Sequence, residues 1–198
     1  MNTPAYISEH DSPIKKKILV SALKLFVERG LCETTIRDIA ADAGCTNPAI
    51  FKHFESKEAL ALHLFECCYL ALFQAASYAA AGHTQFADKH RALIGAYAQA
   101  LRTDCHAVLF AQENIRHFWP KISPAIRKHS ILALIREMLE EGRRQHEVTS
   151  SVSAEMLTIA WAGAVQQFAR MWYFGNLDRE RSVAETELRT VLLRMVAV

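Results

Sequence analysis

A chain of 198 residues, 51% of them apolar, has enough material for a substantial core, which excludes a globally disordered protein. Its formal net charge of +2 is nearly neutral, so charge alone does not announce a nucleic-acid binder and local placement must carry that case. The five cysteines are odd in number and form no CxxC pair, which argues against a disulfide framework and for reduced thiols.

Residues 1–11 read as a flexible tail, and the opening MNTPAYISEHDSPIKKK has no apolar stretch before its basic cluster, unlike a secretory signal. Ser12-Pro13 is a helix entry signal, a capping residue followed by proline at the first helical position. Ile18, Ala22, Leu25 and Phe26 then recur on one face until Gly30 stops the helix. Thr35 and Asp38 form a capping-box pattern for a short helix whose inner face is Ile36, Ile39, Ala40 and Ala43, ending at Gly44. Thr46 or Asn47 caps the next helix, with Pro48 in its first turn and Ile50 and Phe54 facing inward. Ser56 caps a fourth helix that runs to about Ala81.

Further helices are predicted at about 85–102, 104–117, 122–145, 152–174 and 180–196, joined by short loops. The longest apolar stretch, about 67–81, is interrupted by Gln74 and Ser77, so no membrane span is expected. Alternating strand patterns are absent. The prediction is an all-α chain: a three-helix head over 12–56 and a larger helical body over 57–198.

Two short helices joined by a tight glycine turn have helix-turn-helix geometry, although a helical hairpin inside a larger bundle has the same spacing. The residues themselves add to this. Ala22, Leu25, Phe26 and Gly30, then Thr34-Thr35-Ile36, Ile39-Ala40 and Ala43-Gly44 match a known pattern, as do Phe51, His53, Phe54 and Ser56-Lys57-Glu58-Ala59-Leu60. Over roughly residues 14–62 the chain resembles the N-terminal domain of the tetracycline-repressor (TetR) family of bacterial regulators.

The resemblance implies a double-stranded DNA operator as partner, a homodimer to read a palindrome, and a small-molecule effector bound by the body. By position, Arg37 would reach a base edge or phosphate, and Thr46, Asn47, Pro48 and Ala49 would open the recognition helix. Thr35, Lys52, His53 and Lys57 would hold phosphates and set register and salt dependence. Phe51 stands where the family usually has tyrosine; it cannot donate to a phosphate and is assigned to packing or to a thymine methyl. Arg37 could instead pair with an acid of the head, His53 could be structural, and Lys15, Lys16 and Lys17 could be either a solvated helix end or a phosphate contact.

In the body, helix 152–174 with Met156, Ile159, Ala160, Gly163, Ala164, Phe168 and Met171 is expected to make the dimer with the last helix, through Val183, Leu188, Val191, Leu192 and Met195. Tyr97, His106, Gln112, His117, Trp119, Trp161, Gln166, Phe168 and Trp172 are candidates for an effector pocket of largely apolar character. His63, Cys67, Cys68, Cys105 and His106 could support a metal or thiol sensor, but such pairs on apolar helices are usually packed, so no metal or cofactor is expected. No HExxH, P-loop, GxSxG or Cys₄ pattern occurs, so an enzyme is not expected. The function expected is a cytoplasmic, ligand-released repressor; an activator of the same type, or a helical interaction protein without DNA binding, are the alternatives.

Overall fold

The start and stop residues act largely where the sequence sets them. In the computed structural model, which describes residues 4–177 and 180–198, ten helices follow one another. The first four are α1 (Pro13–Glu28), α2 (Ile36–Ala43), α3 (Asn47–Phe51) and α4 (Lys57–Ala81). They are followed by α5 (Phe86–Glu113), α6 (Ile115–Phe118), α7 (Pro124–Arg127), α8 (Ile131–Arg144), α9 (Ala154–Phe174) and α10 (Arg181–Val196). Extended pairing among the described residues is limited to an isolated antiparallel bridge, Val148 to Ala197.

Three predicted helices depart from expectation. The stretch 122–145 is two helices, because Ser130 restarts the chain by accepting from the Ala133 N–H at 3.2 Å. The predicted break near residue 103 is a kink inside α5, at Asp104 with φ −154° and ψ 85°. Residues 1–3 of the predicted tail lie outside the described residues, and residues 4–11 are not loose. Tyr6 is buried, the Ile7 N–H donates to Pro4 O, and Asp11 pairs with Lys15 at 2.6 Å. A buried aromatic ring and a local ion pair fix what composition alone leaves as a tail.

The chain packs as two units. One contains residues 1–71 and 106–128, the other 72–105 and 129–198. Neither coincides with a cut after residue 56, because the segment 106–128 packs on α1 and α4. Phe110 stacks on Phe26 with centroids 5.7 Å apart, and Phe118 lies 5.3 Å from Phe65. Both phenylalanines are essentially inaccessible to water. Ring pairs of this kind bury large apolar areas and fix helix approach.

In the second unit the core gathers residues of α5, α8, α9 and α10, among them Phe86, Leu93, Leu139, Leu157, Trp161 and Leu192. The first free N–H groups of α5 are met by side chains from far along the chain. Phe86 N donates to Gln145 at 3.1 Å and Ala87 N to Glu147 at 3.3 Å. Gly142 permits this closeness: a Cβ there would lie 2.6 Å from Val148 and 2.8 Å from Phe86.

α4 is long and apolar enough, by length and composition, to cross a membrane, despite the interruption of its apolar stretch by Gln74 and Ser77. Its Leu60, Ala61, Leu64, Phe65 and Cys68 are all buried in the first unit, so this apolar face serves a protein core.

Candidate nucleic-acid interface

The geometry of the head begins with the turn after α2. Gly44 adopts φ 65° and ψ 40°, a left-handed conformation, and Cys45 N donates back to Ala40 O at 2.9 Å. That closes a Schellman turn, which only glycine enters without strain. The capping box at the other end is present as predicted: Asp38 N donates to Thr35 Oγ1 at 3.2 Å, and Thr35 N to Asp38 Oδ2 at 2.9 Å. Donation from the Thr35 hydroxyl and from the Thr35 N–H holds the Asp38 carboxyl below the usual range. With α2 fixed at both ends and Ile39, Ala40 and Ala43 buried, its outer side is set.

α3 starts at Thr46, whose side chain makes no capping bond, and is held from beneath by Ile50, which is fully buried. Thr46, Asn47 and Pro48 are exposed, Ala49 is half-buried, and Phe51, Lys52 and His53 are exposed. Arg37 projects from α2 and is exposed. Among the described residues no hydrogen bond or ion pair engages the side chains of Arg37, Asn47 or Lys52. Arg37 therefore does not pair with an acid of the head. Phe51 keeps 51% of its surface accessible, so its ring is not a packing residue of this unit.

Lys57 corrects the expectation of a phosphate contact. Its ammonium donates to three backbone carbonyls, Leu31 at 2.7 Å, Thr34 at 2.8 Å and Cys32 at 3.4 Å. All three of its hydrogens are engaged in closing the loop between α1 and α2. Thr34, fully buried, supports the same loop, with its hydroxyl directed at Gly30 O (2.8 Å) and Leu25 O (3.1 Å). Neither role has a sequence signal beyond the presence of a polar residue next to a helix start. Lys15 is paired with Asp11 and Lys16 donates to Glu9 O, whereas Lys17 is exposed.

The nine pocket candidates do not share one unit. His106, Gln112, His117 and Trp119 belong to the first; Tyr97, Trp161, Gln166, Phe168 and Trp172 belong to the second. His117 is a surface residue whose Nε2 lies 2.7 Å from Glu58, next to Lys121, and Trp119 meets Tyr69 edge-on at 5.2 Å. In the second unit the Tyr97 hydroxyl donates to Val165 O at 3.0 Å, and Arg181 lies over the Trp172 ring at 4.7 Å. These groups are already committed to structural contacts. Trp161 is not, and His90, which sequence reasoning passed over, accompanies it in the buried core.

Two of the thiols, Cys67 and Cys105, are held protonated. Burial pushes the Cys67 thiol up, and the His63 ring beside it, with Nε2 at 3.9 Å, is pushed down by burial and by the charge of Lys15. Burial likewise drives Cys105 up to about 11. A thiol kept protonated in this way is neither a ready metal ligand nor a redox sensor.

Residues 18–64 match the family model of bacterial regulatory proteins of the tetR family. The chain is 40% identical over 52 residues to the uncharacterised regulator YerO of Bacillus subtilis, covering 26% of this chain and 18% of YerO. It is 30% identical over 114 residues to the transcriptional repressor KstR2 of Rhodococcus jostii, covering 58% of this chain and 56% of that repressor. It thus spans less than two thirds of either relative. Its fold is similar to the ketosteroid transcriptional regulator KstR2 of Mycobacterium tuberculosis, with TM-score 0.83, 19% identity, and 99% and 100% of the two chains covered.

Proposed function

We propose that this chain, whose residues 18–64 match the family model of bacterial regulatory proteins of the tetR family, is a cytoplasmic, dimeric repressor that reads a palindromic operator and leaves it when a largely apolar effector binds. The observation that carries the DNA reading is the exposed polar surface of Arg37, Asn47 and Lys52 beside Thr46, Pro48 and His53. A short helix with free donors on one side and a buried isoleucine on the other suits the major groove, where base edges present distinct donor and acceptor patterns. Thr35, Lys52 and His53 then grip phosphates, and exposed Phe51 meets a thymine methyl or sugar.

The dimer reading is supported by α9. Met156 (54% accessible), Ile159 (58%) and Met171 (37%) lie outward with Ala160 and Gly163, and Val183 and Val191 of α10 are exposed too. Phe168 and Leu192, expected in the same seam, are buried in the unit's own core, so the seam is narrower. Two recognition helices about 34 Å apart meet successive major grooves, which one head alone does not achieve.

Release works through the helices that contribute to both units. α4 and α5 each carry residues of both, so effector-induced repacking in the second reaches the first along continuous backbone. The effector must favour the non-binding state by about 1–3 kcal/mol. A gel-shift series on the DNA upstream of the protein's own gene tests the reading. Retardation that weakens steeply with salt is expected; no retarded band at low salt, with a folded dimer confirmed by sedimentation, defeats it.

A further inference from the structure

Buried polar side chains of the second unit generally find partners. Thr158 Oγ1 donates to Ala154 O at 2.7 Å, and Tyr97 donates to Val165 O. His90 Nε2 on α5 and Trp161 Nε1 on α9 do not. Their residues are 1% and 4% accessible, and their rings meet edge to face with centroids 6.3 Å apart at 80°. Trp161 belongs to the same apolar cluster as Phe86, Leu157 and Val165, and the His90 ring lies 5.9 Å from that of Phe86. An indole N–H and an imidazole nitrogen on two rings in edge-to-face contact, both buried in an apolar core without a partner, are hydrogen-bonding groups that an oxygen brought in on an apolar molecule would satisfy.

We infer that His90 and Trp161 are the polar anchor of the effector site, holding a hydrogen-bonding oxygen carried on an otherwise apolar molecule. The inference rests on reading the second unit as the effector-binding part. Burial, with the charges of Arg189 and Arg91, pushes His90 down to about 4, so its ring is neutral near neutral pH. A neutral imidazole donates to a carbonyl in one tautomer and accepts from a hydroxyl in the other, whereas the indole only donates. A carbonyl or hydroxyl oxygen therefore satisfies both groups. An ammonium satisfies neither the indole nor the positive field of the two arginines.

The test compares cyclohexanone with methylcyclohexane, similar in size and differing in the oxygen, on the full chain by thermal-shift titration. Cyclohexanone is expected to bind at least about fivefold more tightly, the worth of a typical hydrogen bond. The preference disappears in His90→Leu and in Trp161→Phe. The Trp161 indole N–H resonance, identified by its loss in Trp161→Phe, moves downfield with cyclohexanone alone, a readout that stands even where a variant folds poorly. Equal affinities, no binding of either compound, or an indole resonance unmoved by cyclohexanone overturns the anchor. Gel shifts on the unliganded protein run beside it. Lost DNA retardation with the oxygen preference intact removes the regulator reading and leaves the anchor, and the converse result removes the anchor alone.

Discussion

Lys57 and Arg37 show how two cations of one small unit divide their work. Lys57 ties down the loop between α1 and α2 through three carbonyls, so Lys57→Met leaves two part-buried acceptors unmet. It is expected to cost about 1–3 kcal/mol, read as a lower melting temperature of the first unit. Asn47 makes no side-chain bond within the protein, and Arg37 has only a minor charge interaction with Asp38. Arg37→Ala and Asn47→Ala should leave the melting temperature unchanged, and each should weaken operator binding by about 1–3 kcal/mol, if each makes a base contact. A melting temperature that falls with the affinity would mark them as structural residues. His90 gives a pH dependence with a definite sign. Its folded-state value of about 4 lies below an ordinary 6.5, so between those values the unfolded chain holds the extra proton. Stability is full above about pH 6.5 and falls toward pH 4, by about 3 kcal/mol. Denaturant titrations across that range should show a shallower decline in His90→Leu than in the wild type.

At the scale of elements, local signals were legible and distant partnerships were not. Ser12, the Thr35–Asp38 box, Gly44 and Gly175 are cap and turn residues whose effect is confined to a few neighbours; all but Gly175, whose role the sequence reading did not name, were read directly, and the outer surface of the head followed from them. The kink at Asp104 falls where the sequence places a boundary between helices 85–102 and 104–117, although aspartate is not a recognisable breaker. The uses of Lys57 and Thr34, and the isolation of His90 with Trp161, depend on atoms far away in the chain, which periodicity does not encode. The exposed seam of α9 offers a test at this scale. A Cβ at Gly163 meets nothing within 4 Å, so Gly163→Leu fits the single chain and gains helix propensity of about 1 kcal/mol. It should nevertheless shift sedimentation toward monomer, because it keeps two helices from close approach. An unchanged dimer would exclude this face as the interface.

For the molecule as a whole, the first unit is assembled from two separate stretches of chain. Phe110 is far from the DNA-reading helices in sequence yet stacks on Phe26 of α1. Phe110→Ala should cost about 3–5 kcal/mol and melt the first unit early, with operator binding reduced as a consequence. A variant that binds DNA as before at the same melting temperature would show that the 106–128 stretch is dispensable to the head. The path of the backbone also bears on any attempt to transplant this head. It leaves the first unit after Ala71, re-enters after Cys105 and leaves again after Lys128. A chimera that gives it a new sensor therefore needs three splice points, and a single cut behind α3 or within α4 would yield a fragment lacking part of its own interior.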